Sequence, residues 1–501
     1  MAEIGIGSVG SLLPELVLLI GGLLILLLDI GQSGQNGQST GRAYMLVSIL
    51  FLIVSLIGVM FQAGMSPVIE LGMVALDPFA SFLKMIVIVG MSLVAVGGGS
   101  FMNRHTNNHG EFWSLFLFVT LAMTIAVSAN NLLLLFLSIE ALSITSYILA
   151  GFLRENDRSS EAGLKYFIYG SVSTALMLYG MSLLYGASGS LDLTEIGAAF
   201  TNDSTLHTVI PLATLLTLAG LGFKASLAPF YQWAPDTYDG APTPVTAYLS
   251  TASKAVGFAV MARVLIVAIG AYQMNWVPIL GGLAVLTMTA GNVVALRQRS
   301  VKRMLAYSSV AQAGYILLGL TAVVSGQSAD VTTLGMNGLN GLLIYLFAYL
   351  FTNIGAFMVV LAVEDYTGST DVTAYSDLIH RSPALAWSML VFMLSLTGIP
   401  LTGGFVGKFY VFGATVQHQY FWLAGIALIN VGIGAYYYMR VVRQMFFIGG
   451  EEAEEPVKVP VPIPLQVVVA LCVLATLWIG IYPPNLIEWA NNASQQLIAM
   501  M

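Results

Sequence analysis

Apolar runs of spanning length follow one another along almost the whole chain, separated by short polar connections. A helix needs about 20 apolar residues to cross a bilayer. Fourteen segments come close to that length: 12–30, 43–63, 78–101, 112–129, 131–153, 161–187, 207–229, 243–270, 276–296, 301–324, 335–363, 383–414, 420–447 and 462–482. The longest polar connections are 188–206, 364–382 and 448–461, and none is large enough for a soluble domain. The last of them carries the acidic run Glu451, Glu452, Glu454 and Glu455. The apolar start runs on past Leu28, too long for the core of a cleavable signal peptide, so 12–30 reads as the first span. The tail after Pro483 and Pro484 is short and amphipathic. The pattern predicts an all-α polytopic membrane protein of about 14 transmembrane helices.

Composition agrees. The chain is 57% hydrophobic and only 9% charged, whereas ordinary soluble domains carry about 25% charged residues. A net charge of -7 and the lack of a basic tract argue against a nucleic-acid partner. Cys472 is the only cysteine, which excludes a disulfide framework and a cysteine-held iron–sulfur or zinc site within the chain. The stretch GGFVGKF superficially resembles a phosphate loop, but its spacing is wrong and Phe409 follows Lys408 where Ser or Thr is needed. No dinucleotide fingerprint is present either. The expectation is a chain with no cofactor of its own, so any redox chemistry belongs to partner chains.

The charges that remain are unevenly placed. Twelve of the 18 Lys and Arg residues lie in or beside loops: Arg42, Arg104, Arg154, Arg158, Arg297, Arg299, Lys302, Arg303, Arg381, Arg440, Arg443 and Lys458. With the fourteen spans above, all of them fall on one side of the membrane. The loops on the other side hold Glu70, Asp192, Glu195, Asp203 and Asp330 but no cation. By the positive-inside rule both termini face outward. The other six cations, Lys84, Lys165, Lys224, Lys254, Arg263 and Lys408, fall within spans. A charge at the middle of a membrane helix costs about 2.5–3.5 kcal/mol on the insertion scale and marks a functional site by default. Lys84 and Arg263 lie toward helix ends and read as snorkelling or anchoring residues. Glu15 and Asp29 also lie near ends, where the cost is low. Glu140, in LLLLFLSIEALSITSYILAG, is the one acid expected deep in a helix. It needs a cationic partner from another helix, with Lys165, Lys224 and Lys254 as candidates. With more buried lysines than acids, some lysines should be easily deprotonated, which suits them to carry protons.

Two of the lysines sit beside helix breaks. Lys224 lies in GLGFKASLAPF, five residues before Pro229, and Lys408 follows Gly398, Pro400, Gly403, Gly404 and Gly407. Paired interrupted helices in the two halves of a transporter are the best pointer to its site. The spacing predicts two inverted five-helix repeats, with the organisation 1–111 (three helices), 112–270 (first repeat), 271–447 (second repeat) and 448–501 (a last helix and tail). Ser250, Thr251 and Ser253 near Lys254, and Tyr307, Ser308, Ser309 and Gln312, offer polar groups between the charges. His207 and His418 lie near the outer face, as interfacial or exit groups.

The motifs KRMLAYSSVAQAGY, SIEALSITSYILAG, LKYFIYGS, APFYQWAPDTYDGAPTPVTAYLSTASKA and LTGIPLTGGFVGKFY occur in order. Together they resemble the antiporter-like membrane subunits of respiratory complex I, over nearly the whole chain. Lysine at 408 fits the N-type (subunit 2) rather than the M-type. The resemblance implies a proton-translocating subunit of an NADH–quinone oxidoreductase, in the bacterial plasma membrane or, as in cyanobacterial and plastid relatives, the thylakoid. It implies M-type and K-type membrane neighbours, with FMN, iron–sulfur clusters and quinone on partner subunits. By resemblance Glu140 pairs with Lys224, Lys254 is the central relay lysine, and Lys165 and Lys408 match the lysines of the sixth and twelfth helices. Gln312 stands where several relatives have histidine. A secondary cation/proton antiporter subunit is the rival expectation, and a complex lacking redox centres on purification would favour it.

Overall fold

The computed structural model describes residues 10–31, 38–202, 208–323, 336–449 and 458–499. His207, Asp203, Asp330 and the acidic run at 451–455 lie outside the described residues. Among the described residues twelve helices are long and apolar enough to cross a membrane, from Leu13–Gly31 to Ile463–Ile481. The two expected spans missing from that set are the interrupted ones. The first is Ile210–Ala225 followed, after a non-helical turn, by Trp233–Gly240. The second is Pro383–Thr397 followed by Gly403–Gln417. The all-α membrane architecture therefore stands, with a single two-stranded hairpin, Val68–Glu70 and Val74–Leu76, among the described residues.

Local chemistry fixes many helix starts. Asp77, Asn131, Asn156 and Ser300 each accept a hydrogen bond from a backbone N–H of the first turn. Asn337 and Asn340 form a reciprocal capping box at the start of Gly338–Thr367. The interrupted helices end on residues in the left-handed region, Ser226 (φ 57°) and Gly398 (φ 92°).

Burial separates inner from outer helices. Thr243–Ala268 is wholly enclosed by protein, and Val301–Thr321 and Gly338–Thr367 nearly so, whereas Leu13–Gly31, Asp157–Ser188 and Phe421–Phe447 are about one-third buried over their apolar windows. The inner helices carry a polar thread inside an apolar core. Thr243–Ala268 is itself irregular: the α-helix breaks at Thr251 (φ −124°, ψ −81°), and the C-terminal end winds as a π-helix over Val264–Ala268. Such π segments are rare and frequently found at functional sites.

The loop cations come together on one face. Arg104 pairs with Asp365 at 2.6 Å, Arg440 donates to the Leu296 carbonyl at 3.0 Å, and Arg158, Arg297, Arg299, Lys302 and Arg303 border one cleft. On the opposite face the hairpin bridges Val74 to Ala129, and Asn131 pairs with Asp192.

Two expectations about charge need correction. Lys84 does not snorkel: it is 1% exposed and pairs with Glu15 at 2.6 Å, with Gln62 Oε1 accepting from it at 3.2 Å. Arg263 does not anchor at a surface: it is 1% exposed and pairs with Asp77 at 2.9 Å. Lys84 stands on the largely buried Pro78–His105 helix and Arg263 on the enclosed Thr243–Ala268 helix, so each is compensated by a carboxylate inside the protein instead. Glu15, at 7% exposure, is thus a buried acid that its place near a helix end concealed.

Candidate functional site

Besides Lys84 and Lys302, three described lysines are enclosed in the protein: Lys224, Lys254 and Lys408 are 1%, 2% and 6% exposed. Lys224 stands in the last turn of Ile210–Ala225. Its Nζ donates to Ser143 Oγ at 3.1 Å and Tyr166 OH at 3.4 Å, and lies 5.8 Å from the Tyr166 ring centre. Tyr166 is stacked on Trp233, at 4.1 Å between centroids, and Trp233 donates its indole N–H to the Phe223 carbonyl at 3.0 Å. The second piece of the broken helix thereby braces the ring that faces the lysine.

Glu140 is half-buried and accepts from Thr174 Oγ1 at 2.7 Å. Ser143, one turn further along the same helix, takes the Lys224 ammonium. The Ser143 contact brings Lys224 to the helix turn next to Glu140, yet no ion pair between them is closed. The expected partners are neighbours in an open arrangement.

Lys254 follows the Thr251 irregularity by three residues. Its ammonium donates to both the carbonyl and the hydroxyl of Ser309, each at 2.8 Å, and the Tyr238 ring centre is 5.9 Å away. Toward Lys408 the contacts are neutral. Ser308 and the Tyr438 hydroxyl are 2.5 Å apart, and Gln312 Nε2 donates to Tyr438 OH at 3.0 Å and to the Leu396 carbonyl at 2.9 Å. Tyr345 donates to Gln312 Oε1. Lys408 donates to the same Leu396 carbonyl at 2.6 Å and to Thr397 O at 2.9 Å. Gln312 and Lys408 thus share an acceptor at the break in the second interrupted helix. Helix ends expose carbonyls with no intrahelical partner, and these two are satisfied by the ammonium.

Buried hydroxyls without a hydrogen-bond partner among the described residues extend this polar interior. Ser146, Ser226, Tyr248 and Tyr349 are of this kind, together with Asn353 Oδ1. Such groups are ordinarily satisfied by water.

Lys165 is elsewhere. Its side chain is 38% exposed and bridges Glu161 at 2.7 Å and Asp236 at 2.8 Å, and Asp236 also takes Arg303 at 2.6 Å. The structure does not bring it beside the three enclosed lysines, which corrects its assignment as a buried one. Sequence reasoning missed Tyr166, Tyr438 and Asp236. Asp236 carried a usable signal, an acid inside the proline-punctuated PDTYDG stretch. The tyrosines carried none, because aromatic residues are common in apolar helices.

The model of the family described as NADH:quinone oxidoreductase/Mrp antiporter, TM matches residues 129–434, the stretch that contains both breaks and all three lysines. NADH-quinone oxidoreductase subunit N of Trichlorobacter lovleyi is 40% identical, over 97% of each chain. This chain belongs to that family, on its subunit N branch. F(420)H(2) dehydrogenase subunit N of Methanosarcina mazei is 38% identical over 97% of this chain and 98% of its own. Among solved structures, a chain of respiratory complex I from Thermus thermophilus is 29% identical, with a TM-score of 0.77 over 95% of this chain and 98% of its own. A chain of the Mrp complex from Dietzia sp. DQ12-45-1b is 19% identical with a TM-score of 0.81, covering 99% of this chain and 98% of its own, a likeness of fold.

Proposed function

We propose that this subunit moves protons across the membrane in a complex I-type NADH–quinone oxidoreductase, through a relay of Glu140, Lys224, Lys254 and Lys408. Electrons travel through FMN and iron–sulfur clusters to quinone on partner subunits, and M-type and K-type subunits flank this chain in the membrane arm. Both termini face the outer side of a bacterial plasma membrane. The two interrupted helices are the matching elements of inverted five-helix repeats, 112–270 and 271–447, with Lys254 between the breaks.

The observation that carries the reading is that Lys224, Lys254 and Lys408 are held by hydroxyls and backbone carbonyls, Lys408 sharing the Leu396 carbonyl with Gln312, with no carboxylate locked to any of the three. An ammonium in a dry interior is held by counter-charge or by good hydrogen bonds. Closing the Glu140–Lys224 pair stabilises the Lys224 ammonium, and opening it favours release. The proton then passes by water and hydroxyls to Lys254 and, past Ser309, Tyr438 and Gln312, to Lys408. Lys165, with Glu161 and Asp236, stands at the edge of this path on the cation-rich face and supplies charge near its opening.

The test is the number of protons moved per electron pair by the assembled oxidoreductase in sealed vesicles. Lys224→Met should lower that ratio while the complex still assembles. A normal ratio would remove Lys224 from the relay. Glu140→Gln should lower the coupled rate, and an unchanged rate would leave the acid a structural group.

A further inference from the structure

The cation-rich face carries a cleft of about 1220 Å³, and its position over the inner helices has a use that the relay does not supply. At its floor lie Lys302 and Glu364. Lys302 is 2% exposed and donates to the Ala241 carbonyl at 2.9 Å, with Glu364 Oε1 3.4 Å away. Glu364 is one-quarter exposed, so one end of the pair faces the cleft and the other is inside the protein. The other Glu364 oxygen accepts from Thr243 Oγ1, at the first position of the helix that carries Lys254.

From this point two polar stripes face each other inward. Thr243, Thr246 and Ser250 recur at spacings of three and four and so share one helix face, and Lys254 follows three residues beyond the break at Thr251. All four are buried. On the helix opposite, Asn353 is eleven residues before Glu364, three turns away on the same face. Asn353 donates to Ser250 Oγ at 2.7 Å, and its own Oδ1 has no partner among the described residues. The distance from Thr243 to Lys254 along the helix is about 16 Å. No other described carboxylate both lines the cleft and contacts this helix through a side-chain hydrogen bond.

Resting on the relay reading above, we propose that the Glu364–Lys302 pair is the proton-uptake site of this subunit: Glu364 takes a proton from water in the cleft and passes it along the Thr243, Thr246 and Ser250 face to Lys254. The step needs no redox partner. The carboxylate gains the proton while Lys302 compensates its charge. The proton then leaves along ordered hydroxyls and water, and Glu364 is again ionised. Lys302 is a positioning residue, because it acts through Glu364.

Protons per electron pair and donor–quinone electron transfer, measured together on assembled complex in sealed vesicles, decide it. Glu364→Gln should lower the proton ratio to the same extent as Lys254→Met, and Glu364→Asp should restore most of it. Glu155→Gln, an exposed acid on the rim of the same cleft, should leave it at the native value. Loss with Lys254→Met but a native ratio with Glu364→Gln overturns the uptake site and leaves the relay standing. A native ratio with both overturns the relay itself. Should Glu364→Gln fail to assemble, Ser250→Ala carries the same test at the next group inward: a lowered ratio supports the path and a native one overturns it.

Discussion

Lys224 and Lys408 look alike in the sequence, each a lysine beside a broken membrane helix, and the structure makes them chemically different. At the first break the helix end is already satisfied. Ser226 N–H donates to Phe223 O at 3.0 Å, Leu227 N–H to Gly222 O at 2.7 Å, and the Trp233 indole to Phe223 O at 3.0 Å. The Lys224 ammonium is left to hydroxyls that hold it loosely, with Glu140 nearby. At the second break the lysine stands in the following helix piece and reaches back to cap two carbonyls of the preceding one. A carrier that must change partners and one that terminates a path need these two kinds of holding. The difference also separates function from stability, since removing Lys408 leaves the Thr397 carbonyl without its donor and the Leu396 carbonyl with Gln312 alone, whereas removing Lys224 uncaps no carbonyl.

The comparison can be broken most severely by backbone crowding. An added methyl at Gly404 would sit 1.9 Å from the Ser395 carbonyl oxygen, while one at Gly222 would meet nothing nearer than the Phe230 ring, at 3.3 Å. Gly404→Ala should therefore destabilise the subunit by about 3 kcal/mol or more, and Gly222→Ala by about 1 kcal/mol or less. Thermal unfolding of the detergent-solubilised complex checks both, and equal losses would mean that the second break is no tighter than the first.

Next in size is the pair of lysines themselves. Lys408→Met should lower stability by about 2 kcal/mol relative to Lys224→Met, because the Thr397 carbonyl loses its donor while Gln312 still holds the Leu396 carbonyl. Both should lower the proton ratio, but only Lys408→Met should also reduce the amount of assembled complex. Equal complex content in the two variants would show that the Lys408 contacts are not a cap. The smallest effect sharpens the first break alone. Trp233→Phe removes the indole donor to Phe223, at about 1 kcal/mol, and leaves that carbonyl with the Ser226 N–H alone, so that its second lone pair can compete for Lys224. Proton transfer should slow a fewfold with assembly intact, and a native rate would mean that the indole does not set where Lys224 points.

Much of this was legible in the sequence. The spans are long apolar runs, and the breaks announce themselves through Pro229, Gly398 and Pro400. Lys224, Lys254 and Lys408 were found because charge in an apolar run is rare. Lys84 and Arg263 were misjudged because hydropathy does not distinguish a helix facing lipid from one facing protein. The Pro78–His105 helix is interior, so its charge had to be paired from Glu15, sixty-nine residues away in sequence. Lys165 was misjudged for the opposite reason, as its helix begins at Asp157 and leaves the lysine near the charged face. The Glu140–Lys224 neighbourhood rested on family resemblance. Its open state, with Thr174 on one group and Ser143 on the other, depends on rotamers that no sequence pattern specifies.

The central claim is that one relay crosses this subunit by way of Lys254, the lysine between the two breaks. The most direct measurement is the proton-to-electron ratio of the assembled oxidoreductase carrying Lys254→Met, in sealed vesicles with electron transfer recorded in the same sample. The account predicts fewer protons per electron pair with electron transfer to quinone still running. An unchanged ratio in that variant would contradict it.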